Sequence, residues 1–348
     1  MIFLLKKTGY SILVLIGVVI LVFVMFQGFG DPARLIVGQT GDKKTLDNIR
    51  KELHLDQPKW KQFALYVNDV SPVSIYSKAA MEEKKMKGIF IGGETKLALK
   101  YPYLGKSYQT KKEVSTILLD ALPGTMVLAF SAMLFACIAG ISLGVLAAVK
   151  KDTWIDGTAV FSSIVGISAP SFFMAILIAY LFGIVWHPFT GLNLTGSLFE
   201  IDEVTGEKFL NIKNLILPAF TLGIRPLAII TQLTRSSMLD VLNQDYIRTA
   251  YAKGLNKSTV IFKHALRNAL NPVITAITGW FAELLAGAFF IEYIFGWKGI
   301  GKITVDALEK LDYPLVMGAV LFSACFFIII NFTADLLYKK IDPRIGVN

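Results

Sequence analysis

Six apolar runs, each near or beyond the roughly 20 residues a helix needs to cross a bilayer, constrain this chain more than any other feature of its sequence. They extend from Gly9 to Phe26 and, approximately, from Leu118 to Val149, Thr158 to Trp186, Asn214 to Leu233, Pro272 to Ile291 and Leu315 to Leu337. Hydrocarbon offers no partner to a backbone N–H or C=O, so each run is expected to satisfy its own backbone as a helix. The hydrophobic share of 54% and mean hydropathy of +0.57 exceed what a soluble domain carries, about 45–50% apolar residues. The expected fold class is therefore all-α: a polytopic membrane protein with six transmembrane helices. Lys6 and Lys7 precede the first run, as in a signal peptide, but Phe26-Gln27-Gly28-Phe29 lacks a small-residue cleavage pattern. The first run is read as a retained span.

Charge sets the expected topology. Lys150 and Lys151, the basic stretch over residues 234–271, and Lys339, Lys340 and Arg344 all fall on one side of a six-span arrangement. Glu200, Asp202, Glu203 and Glu207 fall on the other. The positive-inside rule then puts both termini in the cytoplasm of a plasma (inner) membrane. The organisation that follows is a first span over 1–29, an extracytoplasmic loop over 30–117, a membrane domain over 118–338 and a tail over 339–348. The outer loop is rich in Lys and Arg, but loops longer than about 60 residues translocate largely regardless of charge. Within it, 68–112 reads as an insertion of no legible role. The net charge of +9 comes without aromatic-interleaved basic patches, so nucleic acid is not an expected partner. Cys137 and Cys325 lie inside apolar runs and form no disulfide or metal pattern.

Between the fourth and fifth runs stands the one long basic, water-compatible stretch of the second half, Asp245 to Pro272, DYIRTAYAKGLNKSTVIFKHALRNALNP. Its spacing predicts two short helices broken at Gly254, a residue suited to the left-handed turn that ends a helix, with Asn256 capping the next. Ile247, Tyr251 and Leu255 form an expected apolar stripe on the first helix. Phe262, Leu266, Ala269 or Leu270, and Val273 form one on the second. By itself this describes either a loop whose charges serve topology alone, or a surface helix rigid enough to pass a push into the bilayer.

The same stretch resembles the EAA loop of binding-protein-dependent ABC importer permeases, in the dipeptide/oligopeptide/nickel branch, whose pattern is close to DYVRTARAKGLS followed by KHALRNAL and Pro. Arg248, Thr249 and Ala250 stand where the wider superfamily has Glu-Ala-Ala. The resemblance extends to Gly30-Asp31-Pro32-Ala33, to Leu55-Asp56-Gln57-Pro58 with Gln62 and Tyr66, and to Leu217-Pro218-Ala219-Phe220-Thr221-Leu222-Gly223 and Arg235-Ser236-Ser237-Met238-Leu239. It implies a type I importer permease for peptides, with nickel or another small solute as the alternative. It also implies a second homologous permease, two cytoplasmic ABC ATPases and an extracytoplasmic substrate-binding protein as partners. Asp245, Tyr246, Arg248, Thr249, Ala250, Lys253, Gly254 and Leu255 would then form the coupling contact to an ATPase and carry its motion to the third, fourth and fifth spans.

No cofactor is expected in this chain; ATP and magnesium belong to the partner subunits. Gly296-Trp297-Lys298-Gly299-Ile300-Gly301-Lys302 has the G-x-x-x-x-G-K spacing of a phosphate loop, but Ile303 replaces the magnesium-binding Ser or Thr. In the resembled family this corner is close to FSWPGLG, with Lys298 here in place of the proline. His54, His187 and His264 are too scattered for a metal site or a nucleophile's base, so enzyme activity is not expected. A secondary transporter or channel, which needs no ATPase, is the rival of another class, and a scaffold with a degenerate pathway is a third.

Two charges lie within apolar runs, Arg225 and Glu283, where a lone charge costs about 2.5–3.5 kcal/mol or more. They either pair with each other, line a translocation route, or meet another subunit. Pro170 interrupts the third run and predicts a helix break there, which membrane helices tolerate generally and transporters use.

Overall fold

The structure, a computed structural model, describes residues 2–28, 33, 42–52, 54–77, 88–92, 95–202, 205–286 and 288–341. Gly30-Asp31-Pro32 and the tail containing Arg344 lie outside them. Two compact units result, Met1–Asp120 with Thr304–Cys325, and Ala121–Ile303 with Phe326–Asn348.

In the first unit, α1 (Ile2–Gly28) is followed by α2 (Lys43–Glu52) and α3 (Lys59–Val70). Here the family-like Gln62 and Tyr66 find their physical purpose. Gln62 is buried, accepts from Gln27 Nε2 at 3.2 Å, and donates to the Gln57 carbonyl at 2.8 Å. Phe23 of α1 meets Phe63 edge-on at 5.1 Å and stacks on Tyr66 at 5.9 Å. The motif thus fastens α3 to the C-terminal end of α1. Part of the 68–112 stretch forms an antiparallel sheet, β1 (Val73–Ser77), β2 (Gly88–Gly92) and β3 (Thr95–Lys100), in the order β1-β3-β2. Its register places Val73, Ile75, Ile89, Ile91, Leu97 and Leu99 on one exposed face. Nearby, Asp312 is buried and accepts from the Ser107 hydroxyl and from the Tyr108 N–H at 2.9 Å, closing the 105–113 loop over the start of the last helix.

The membrane helices follow the apolar runs: α4 (Val114–Val149), α5 (Trp154–Ser168) and α6 (Ser171–Tyr180), then α8 (Lys213–Leu242) after a short α7 (His187–Thr190) and a hairpin of β4 (Phe199–Ile201) and β5 (Lys208–Leu210). Beyond these come α9 (Asp245–Ala252), α10 (Lys257–Thr259), α11 (Leu266–Ala286), α12 (Phe289–Ile294), α13 (Ile300–Glu309) and α14 (Tyr313–Ile341). Among the described residues four helices are long and apolar enough to cross a membrane, or five if α5 and the helix beyond Pro170 count as one span bent by 109°. That bend sits at Ala169-Pro170-Ser171, where Ala169 and Pro170 are extended. The expected fifth run lies on α11, whose first turns are polar. The membrane part is helical as expected, while the strands are confined to the polar stretches.

Close packing in the second unit depends on two glycines of α4. Gly140 and Gly144 on α4 form a G-x-x-x-G pair, which lets membrane helices approach backbone to backbone. A Cβ at Gly144 would lie 2.5 Å from Thr234 Cβ and 2.7 Å from the Thr231 carbonyl of α8, and one at Gly140 would lie 2.9 Å from the Leu227 carbonyl. α8 is thereby held against α4 on one side. On another it joins α5 through Arg235, which binds the Asp156 carboxylate at two points, one of them Nη2 to Oδ2 at 2.7 Å. Asp156 is buried, lies in the first turn of α5 and also accepts from the Asp152 N–H at 3.1 Å.

Candidate functional site: a surface helix and a charged cavity

The amphipathic helix α9 is anchored from within the fold. Ile247 and Ala250 are buried in a cluster with Val145 and Ala148 of α4, Met238 of α8, and Val260, Ile261, Ala265 and Ala269 leading into α11. Burying the Ile247 side chain alone stabilises this docking by about 1.5–3 kcal/mol. The chain leaves α9 through Gly254 at φ +80°, and Asn256 Oδ1 caps α10 by accepting from the Thr259 N–H at 2.8 Å. Both features match expectation. Tyr246 adds a tie outside the cluster, since its hydroxyl accepts from Asn268 Nδ2 at 3.1 Å.

Three expectations are corrected here. The buried stripe is Ile247 with Ala250, at a spacing of three; Tyr251 is 44% exposed and Leu255 37%. Ala250, placed in the coupling contact from sequence, is 5% exposed and faces the protein's own interior. On the second segment Phe262 is exposed, because Val260–Ala265 forms a π turn. Its wider i→i+5 bonding shifts the face that follows, so Val260 and Ile261 turn inward in place of Phe262. In this cluster α9 packs against α4, α8 and α11, and among the described residues none of α5 or α6 belongs to it. Asp245, Tyr246, Arg248, Thr249, Tyr251, Lys253, Gly254 and Leu255 remain on the open side. Arg248 reaches Asp245 only at 3.5 Å, with both side chains mostly in solvent, so both charges stay available.

Arg225 and Glu283 meet at a different place. Both line a cavity of about 170 Å³ bounded by α6, α8, α11 and α12, together with Ala169, Ser171, Met174, Thr221, Trp280, Phe289 and Phe290. The Arg225 guanidinium lies over the Trp280 ring, 5.5 Å from its centroid, an arrangement that stabilises a cation by attraction to the π face. Among the described residues no ion pair joins Arg225 to Glu283. The break at Pro170 and the start of α12 at Ala288 and Phe289 adjoin this cavity. Irregular backbone at membrane depth persists where it lines such a space.

The phosphate-loop-like string has another occupant. Glu292 is completely buried, and its carboxylate accepts from the Gly301 N–H at 2.7 Å, the Lys302 N–H at 3.2 Å and the Thr125 hydroxyl at 2.8 Å. These amides belong to the first turn of α13, where a helix favours an anion. A Cβ at Gly299 would run into the carboxylate, and one at Gly301 would lie 2.6 Å from Phe289 Cα. The glycines therefore make room for the chain's own carboxyl group. Burial pushes the Glu292 carboxyl up to about 7, with the three donors pulling the other way. Neither Glu292 nor the Asp156–Arg235 pair was singled out from sequence. The signal available for Glu292 was a carboxylate nine residues ahead of an N-terminal helix amide.

Comparison with known proteins gives this arrangement its class. The family described as "Binding-protein-dependent transport system inner membrane component" matches residues 140–347, and the N-terminal membrane-component family of the same systems matches residues 1–81. The chain belongs to this family: it is a membrane permease component. Among its relatives, the dipeptide transport system permease protein DppB of Alkalihalophilus pseudofirmus is 36% identical over 346 residues, covering 95% of each chain. DppB of Haemophilus influenzae is 45% identical over 258 residues, covering 69% of this chain and 76% of that one. DppB of Escherichia coli K12 is 36% identical over 361 residues, covering 99% and 98%.

Proposed function

We propose that this chain is the membrane-spanning permease subunit of an ATP-driven importer of dipeptides and oligopeptides, forming half of the pathway with a second, homologous permease. In this reading it is not an enzyme. Two ABC ATPases on the cytoplasmic side bind ATP and magnesium, an extracytoplasmic binding protein delivers substrate, and both termini of this chain are cytoplasmic. The peptide class follows the names of relatives matched over nearly the whole chain.

The observation that carries the proposal is the construction of α9. It is a polar surface helix whose inner face is locked to α4, α8 and α11, while its outer face offers Asp245, Arg248 and Lys253 without strong internal partners. Closure of an ATPase pair pulling on that face would move the second, fourth and fifth spans together, and alternating access would follow. Co-expression with the candidate ATPases, partner permease and binding protein, followed by reconstitution and uptake of labelled alanyl-alanine, tests this. Uptake that requires ATP inside and subunits that co-purify are expected; uptake by this chain without an ATPase would overturn it.

A further inference from the structure

The cavity between the broken helices holds two opposite charges that do not neutralise each other. α8 and α11 pack side by side, so Arg225 and Glu283 had the opportunity to pair. Arg225 instead rests on the Trp280 ring, and both charged side chains are exposed on the cavity wall. Trp280 and Glu283 stand three residues apart on α11, Thr221 and Arg225 four apart on α8. Each helix therefore turns one face of polar and aromatic groups into the same space. The remaining wall, with Met174, Phe289 and Phe290, is apolar. The volume of about 170 Å³ corresponds to about six liquid waters, the scale of a small molecule and far below that of a docking helix. Counting from Lys213, Arg225 lies about 18 Å along α8 at 1.5 Å per residue, deep enough that its counter-charge matters.

We propose that this cavity is a transient substrate site of the permease itself, and that it recognises the two charged ends of a short peptide. Arg225 takes the terminal carboxylate and Glu283 the terminal ammonium. The guanidinium offers a planar pair of donors to a carboxylate, and Trp280 behind it holds its plane in place. Met174, Phe289 and Phe290 accept side chains without selecting among them, so the site reads the zwitterion and tolerates sequence. This rests on the transport function proposed above and adds a selection step inside the membrane to the one made by the binding protein.

The test uses the complete reconstituted complex with its binding protein at saturation and labelled alanyl-alanine as the probe. Arg225→Gln and Glu283→Gln are each expected to lower uptake about tenfold or more, the scale set by loss of a charge-assisted contact. Arg225→Lys and Glu283→Asp should recover a substantial part of it. Subunit co-purification should remain at the wild-type level in all four. Uptake within about twofold of wild type in both Gln variants would overturn the site. So would a loss that comes with dissociated subunits, which would assign the charges to the partner permease. Failure of the wild-type complex to take up alanyl-alanine at all would instead sink the transport reading, so the two failures are told apart in one experiment.

Discussion

Glu292 Oε2 lies 2.7 Å from the Gly301 amide nitrogen, so the carboxylate of one short helix caps the first turn of the next. The carboxyl is held near 7 by burial, above its ordinary 4.5. A carboxyl whose pKa rises on folding favours its protonated form in the fold. The stability it contributes is thus complete below about 4.5 and is lost as pH rises through about 7, a swing on the order of 3 kcal/mol. Thermal unfolding of the purified permease in detergent should show its midpoint falling over that window. Glu292→Gln should flatten the profile, and a variant that kept the wild-type slope would show that another group titrates.

Gly254 stands at φ +80° with no atom within 4 Å of where a Cβ would project. Space is therefore not the constraint; backbone conformation is, and a non-glycine residue there costs roughly 1–2 kcal/mol. Gly254→Asn, which tolerates the left-handed region, should retain uptake. Gly254→Val should lose most of it while membrane insertion persists, because the joint after α9 would have to re-form. ATP-dependent uptake alongside membrane yield measures both, and full uptake by the Val variant would remove the joint from the mechanism.

How much of this was legible beforehand depended on the length scale of the signal. The membrane runs, Gly254 and the Asn256 cap were visible because each rests on a strong local rule: run length, left-handed backbone, side-chain capping. The facing of α9 was not, since a helix of eight residues has barely two turns and Ile247 pairs with Tyr251 or Ala250 equally well by spacing. Phe262 was misplaced by a π turn, which no periodicity announces. Asp156 closely follows Lys150, Lys151 and Asp152 in the sequence, and its partner Arg235 lies 79 residues away, beyond the reach of any local rule. The cavity shared by Arg225 and Glu283 needed the relative rotation of α8 and α11, which neither helix encodes alone.

Gly144 lets α4 approach Thr231 and Thr234 of α8 closely. Gly144→Leu would force a side chain into Thr234 Cβ and the Thr231 carbonyl, and overpacking of this kind costs about 1–3 kcal/mol or more. The expected result is a permease with a lowered unfolding midpoint and poor membrane yield. Ser142→Ala, on an exposed face of the same helix, is the matched control and should change neither. Equal midpoints for the two variants would mean that the helices part easily there.

Arg235 and Asp156 hold the ends of α8 and α5 together through two hydrogen bonds, with Asp156 also favoured by its place in the first turn of α5. Removing one partner strands the other. Arg235→Leu leaves a buried carboxylate without its cation and should destabilise by about 3–5 kcal/mol. Asp156→Asn with Arg235→Gln removes both charges and keeps polar groups of similar size, so the double variant should be more stable than Arg235→Leu. A double-mutant cycle on unfolding midpoints, completed with both single variants, measures the coupling directly. A coupling energy near zero would mean that the α5–α8 contact is held by packing around Gly166 and Ala228 and that the ion pair is incidental. A large coupling with uptake preserved in the double variant would make the pair a structural clasp, outside the moving parts of the transport cycle.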